Sequence, residues 1–91
     1  MIDANGNELI IGDYVNFRFC REDTEFCYVA VVVGEDSDGV FNHGVFEKFI
    51  LIKVLSKWVD DFYFDGTVIS NFHYNLKFMS PEKAILWNLE N

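Results

Sequence analysis

The 91-residue chain has one proline, six glycines and two cysteines. So little Pro and Gly excludes collagenous and low-complexity readings. Two cysteines are too few for the disulfide frameworks that hold small secreted domains together. Basic residues are also scarce: seven Lys and Arg stand against fifteen Asp and Glu, a formal charge of −8. No apolar run approaches the roughly 20 residues that a membrane-spanning helix needs. The N-terminus, Met1-Ile2-Asp3-Ala4-Asn5-Gly6-Asn7-Glu8, lacks the basic region and apolar segment of a secretory signal. A cytoplasmic protein with free thiols and no membrane contact is expected.

Apolar residues, in contrast, are abundant, at 51% with 18% aromatic. That suffices for one well-filled core and argues against disorder. The length allows a single domain over residues 1–91 and leaves no room for a barrel of about 250 residues. The charge is unevenly placed. Residues 1–47 carry ten acids and two bases, whereas residues 48–91 carry five of each. A field of this sign repels phosphate, so direct nucleic-acid binding is disfavoured and a protein partner with a basic surface is favoured.

Strand signals dominate the pattern. Asn5-Gly6 and Gly12-Asp13 are turn sequences. Between Tyr14 and Cys20, Val15, Phe17 and Phe19 alternate with Asn16 and Arg18, the period of a half-buried strand. Arg21–Glu25 is polar and predicts a hairpin loop, Phe26–Val33 predicts a central strand, and Gly34–Gly39 predicts a further turn before a short strand at 40–42. Leu51, Val54, Leu55, Trp58, Val59 and Phe62 fall on one helical stripe, which predicts a mid-chain helix over roughly 50–61. Asp65-Gly66 predicts a tight hairpin between 62–64 and 67–69. Alternation over 72–79 predicts another strand, with Phe72, Tyr74, Leu76 and Phe78 on its buried face. Ser80-Pro81-Glu82 starts a short C-terminal helix, with Ser as cap, Pro in the first turn and an acid at the positive end of the dipole.

No arrangement of residues predicts catalysis, a metal or a cofactor. Cys20, Cys27, His43 and His73 number the same as a zinc ligand set but lack its paired spacing. Asp36-Ser37-Asp38-Gly39 begins like a calcium loop, yet Val40 and Phe41 occupy the places of an oxygen ligand and of the turn glycine. Glu22 and Asp23 next to Cys20-Arg21 would raise a thiol pKa rather than activate it. A non-enzymatic chain is expected. Its partner-binding groups are expected to be Glu22, Asp23 and Glu25 in one loop and Glu35, Asp36 and Asp38 in the next. Trp58 and Trp87 are candidate interface anchors.

The stretch Asp3-x-x-Gly6-x5-Gly12-Asp13-Tyr14-Val15, about fifteen residues, resembles the opening of SH3-like and KOW-type small barrels and, more loosely, of YopX-like phage proteins. That resemblance implies an α+β fold: a bent antiparallel sheet, SH3-like or a small open barrel, here with a mid-chain helix and a short C-terminal helix. Members that bind RNA use basic loops, from which this acidic half departs. A compact acidic chain of this kind is also similar to small phage inhibitors of host enzymes or defence systems, which implies a DNA mimic as the function. The alternatives are a nucleic-acid-associated accessory domain using Lys48, Lys53, Lys57 and Lys77, and a structural or assembly subunit. A second copy of the chain is a further candidate partner.

Overall fold

A computed structural model describes residues 1–56 and 63–90. Among them five strands form one antiparallel sheet: β1 (Tyr14–Arg21), β2 (Thr24–Asn42), β3 (Val45–Leu55), β4 (Val68–Asn71) and β5 (Leu76–Phe78), in the order β4-β3-β2-β1-β5. A 3₁₀ turn over His73–Asn75 leads into β5, and α1 (Pro81–Glu90) follows. The fold is therefore α+β, an open antiparallel sheet with a short C-terminal helix.

The alternation seen in residues 14–20 becomes β1, with Val15 and Phe17 buried and Asn16 and Arg18 exposed. Its register with β2 sets Val15 opposite Ala30 and Phe17 opposite Tyr28. Inward-facing Val32, Ile52 and Val54 continue the same core across β2 and β3. The Phe17 and Tyr28 rings stack at 5.2 Å, and Tyr63 meets Tyr28 edge-on at 5.3 Å, an arrangement that suits the ring quadrupoles. Leu9 and Leu76 close the core from the N-terminal loop and from β5.

Several expectations are corrected. The loop between β1 and β2 is two residues long, Glu22-Asp23, with Arg21 opposite Thr24 and positive φ at both turn residues (50° and 66°). Primed turns match the twist of the flanking strands, so hairpin geometry imposes this conformation even without glycine. Residues 34–39 form no turn. They run within β2, and the reversal comes at His43-Gly44 (φ 52° and 79°), so 40–42 ends the long strand instead of forming its own.

The predicted mid-chain helix is not seen. Residues 50–55 lie in β3, between β2 and β4, while 57–62, including Trp58, lie outside the described residues. Ile50, Ile52 and Val54 are buried at period two, but Leu51 and Leu55 are also half-covered. A strand apolar on both faces loses its alternation, and the remaining apolar positions imitate a helical stripe. Asp65-Gly66 does turn the chain, with the Thr67 amide donating to Phe64 O at 3.1 Å. However, β4 pairs with β3, not with the segment before the turn. Residues 72–79 divide into the 3₁₀ turn and the three-residue β5. Of the predicted buried face only Leu76 is fully buried, while Tyr74 and Phe78 are exposed. The helix starts as read, with the Lys83 amide donating to Ser80 Oγ at 3.3 Å.

Candidate interaction surface

Pairing along β2 is unequal. Its first part, Thr24–Val31, pairs with β1, and from Val29 onward β2 also pairs with β3, whereas β4 reaches only as far as Ile50 on β3. Residues 36–42 and 45–49 therefore pair only with each other and form a two-stranded arm. Two irregularities bend its base, one at Val33 and one where Asp36, Ser37 and Asp38 together face Phe49. Bulges of this kind increase local twist and redirect a strand. Gly39 permits the bend: a Cβ there would lie 2.1 Å from the Glu47 carbonyl oxygen.

The arm ends in exposed apolar side chains. Phe41 is 78% exposed, Val45 61% and Phe46 44%, and the Phe41 and Phe46 rings pair across the strands at 5.3 Å. Behind this tip stand Glu35, Asp36, Asp38 and Glu47. Asp36 Oδ1 accepts from the Asp38 amide at 3.2 Å and Oδ2 accepts from the Ser70 hydroxyl. The Ser70 bond, ahead of the Asp38 amide, holds the Asp36 carboxyl below its ordinary value, because both bonds favour the ionised form. The 3₁₀ turn braces the arm: Asn42 Nδ2 donates to the Tyr74 hydroxyl at 2.6 Å, and His73 Nε2 lies 3.4 Å from Glu47 Oε2. A groove of about 360 Å³ opens between the arm and the N-terminus, bounded by Ile2, Glu35, Phe46, Glu47 and His73.

The six carboxylates expected to bind a partner thus fall into two groups. Asp36 and Asp38 lie on the arm with Glu47, and Glu35 stands at its base. Glu22 and Asp23 occupy the opposite hairpin turn, and Glu25 on β2 is engaged by Arg18 at 3.2 Å. At about 3.3 Å per residue, eleven steps of β2 separate Thr24 from Glu35 by up to ~36 Å. Trp87 is half-buried on α1. Sequence reasoning passed over Phe41, Val45 and Phe46, whose only local signal is an aromatic pair flanking His43-Gly44.

Lys48, Lys53 and Lys77 sit on the arm, on the body of β3 and on β5 at the far edge, and Lys57 lies outside the described residues. The lysines that are described form no common stripe. Cys20 and Cys27 are free and exposed, diagonal to each other on β1 and β2. Diagonal neighbours lie roughly 7–8 Å apart, beyond disulfide reach. Among the described residues no three His, Cys, Asp or Glu converge on a metal-sized site, and no helix is long and apolar enough to cross a membrane. Comparison with protein-family models, curated proteins and solved structures finds no match.

Proposed function

We propose that this chain is a small non-enzymatic protein-binding module, whose arm inserts its apolar tip into a groove rimmed by Lys and Arg on a partner protein. The observation that carries this reading is the tip itself. Phe41, Val45 and Phe46 stand exposed on a two-stranded projection, and aromatic side chains that a lone molecule leaves in water are the usual anchors of an interface. The carboxylates behind the tip define the partner's rim by charge complementarity. The concrete form we propose is an inhibitor, of the type phages make, that occupies the nucleic-acid-binding site of a host protein and so acts as a DNA mimic. An SH3-like barrel as the parent architecture is supported by the bent β2 and by the return of β5 to pair with β1, as a closing small barrel requires.

The test uses the whole chain as bait, beside F41S/F46S and E35Q/D36N/D38N variants. Wild type is expected to retain a partner that F41S/F46S loses and that E35Q/D36N/D38N holds more weakly. The purified partner is then expected to release its nucleic acid when the wild-type chain is added. Retention of that partner by F41S/F46S overturns the arm as the interface. Simultaneous binding of nucleic acid and this chain overturns the mimic.

A further inference from the structure

A second feature is unrelated to the arm's carboxylates. On the outer face of β5, β1 and β2 lies a concavity of about 480 Å³ lined by Asn16, Arg18, Cys27, Tyr74, Asn75 and Lys77. The strand period accounts for its composition. Asn16 and Arg18 point outward because Val15 and Phe17 point inward. The β5 register sets Lys77 opposite Asn16, and the β2 register sets Cys27 opposite Arg18. Two of the seven cationic side chains of this acidic protein therefore share one hollow.

Their charges are incompletely met. Arg18 Nη1 holds Glu25 at 3.2 Å, and among the described residues no carboxylate lies within ion-pair distance of Lys77. A guanidinium fork beside a compact ammonium suits the oxygens of a phosphate. The remaining walls suit a flat polar group. Tyr74 supplies a ring whose hydroxyl is anchored by Asn42 at 2.6 Å, and Asn16 and Asn75 supply amides able both to donate and to accept. The volume lies within the range of small-molecule sites. A polyanion is a poor occupant, because Glu22, Asp23 and Glu25 crowd the adjoining hairpin end and the whole molecule is negative.

We propose that this concavity binds a small phosphate monoester bearing a flat, hydrogen-bonding group, of which a nucleoside monophosphate is the simplest member. Arg18 and Lys77 hold the phosphate, Tyr74 lies against the ring, and Asn16 and Asn75 read its polar edge. Glu25 competes with the phosphate for Arg18.

Titration of the full ¹⁵N-labelled chain with adenosine monophosphate, inorganic phosphate, adenosine and a short single-stranded RNA tests the site. The monophosphate is expected to give saturable shifts centred on the amides of Asn16, Arg18, Asn75 and Lys77, with phosphate and adenosine each binding more weakly. R18Q and K77Q are each expected to lose about tenfold in affinity, equivalent to ~1.4 kcal/mol. E25Q is expected to bind severalfold more tightly, while E90Q, at the far end of α1, leaves affinity unchanged. Absence of saturable shifts at those amides up to about 10 mM ligand overturns the proposal, since such a site is worth less than roughly 3 kcal/mol. Equal gains from E25Q and E90Q overturn it as a bulk charge effect. Phosphate matching the nucleotide removes the flat group, and RNA binding more tightly than the monophosphate makes the hollow a nucleic-acid surface. All four variants alter exposed side chains, and their own spectra report whether they fold.

Discussion

Asp3 is 1% exposed, the buried charged side chain among the described residues. Its Oδ1 accepts from the amides of Asn5 (2.9 Å) and Asn7 (2.8 Å), and its Oδ2 from the Phe78 amide (2.7 Å) and Asn7 Nδ2 (3.1 Å). A single carboxylate thereby ties the N-terminal loop to β5, 75 positions away. Burial alone pushes its pKa up; the hydrogen bonds, led by Phe78, outweigh that influence, and the net shift is downward. With the folded value below the unfolded one, the stabilisation is fully present above the ordinary carboxylate range. It is lost as pH falls through the folded value. Asp3→Asn is expected to cost about 2–4 kcal/mol near neutral pH, because an amide cannot accept all four bonds and leaves buried donors unmet. It should also flatten the loss of stability below about pH 4. Urea unfolding of both proteins across that range checks this. Identical midpoints at neutral pH would show that the loop is not held by this side chain.

At the scale of elements, the arm and its bend matter most. An ordinary strand of β2's length would continue straight past the sheet, whereas two irregularities turn its outer part. The turn depends on Gly39, where even a methyl group would meet backbone carbonyl atoms that cannot rotate aside as a flexible side chain does. Gly39→Ala is expected to destabilise by about 2 kcal/mol or more, the cost of forced overpacking. The damage should be local. In hydrogen exchange, amides of residues 40–48 lose protection first, while the β1–β2 amides opposite Phe17 and Tyr28 keep theirs. Uniform loss of protection would mean that the arm folds as part of the core rather than as an appendage.

For the whole molecule, the expected partner-binding acids form two clusters, one at the β1–β2 turn and the other well along β2. The clusters are up to ~36 Å apart by strand rise, against a screening length of about 8 Å at physiological salt. Each cluster therefore acts on its own surroundings. If the arm meets the partner, E35Q/D36N/D38N should slow association several-fold and reduce its salt dependence, because steering charges act mainly on the on-rate. E22Q/D23N, which removes charge from the remote turn, should leave both nearly unchanged. Stopped-flow association at low and at physiological salt checks this. An equal effect from the remote pair would show that the overall field, not the arm, directs the encounter.

Some of this was determined by the sequence alone. The alternation over Tyr14–Cys20, the turns at Asn5-Gly6, Gly12-Asp13 and Asp65-Gly66, and the Ser80-Pro81 helix start were legible because a backbone preference or a one-sided burial pattern acts within a few residues. The segregation of acids into the first 47 positions was legible for the same reason: it needs only counting. Other features required tertiary structure. Leu51 and Leu55 gained cover on the face opposite Ile50, Ile52 and Val54, so the strand period of β3 was hidden by the very packing that makes it a central strand. Glu35, Asp36 and Asp38 resembled turn residues, but lie in β2 because Val45–Leu55 returns to pair on both sides of the bulge that holds Asp36 and Asp38, Glu35 with Ile50 and Gly39 with Lys48, a partner no local pattern names. The exposed Phe41–Phe46 pair and the Arg18–Lys77 hollow likewise depend on which strands end up side by side. Local chemistry sets where the chain turns and alternates; long-range pairing decides which faces meet and which remain in water.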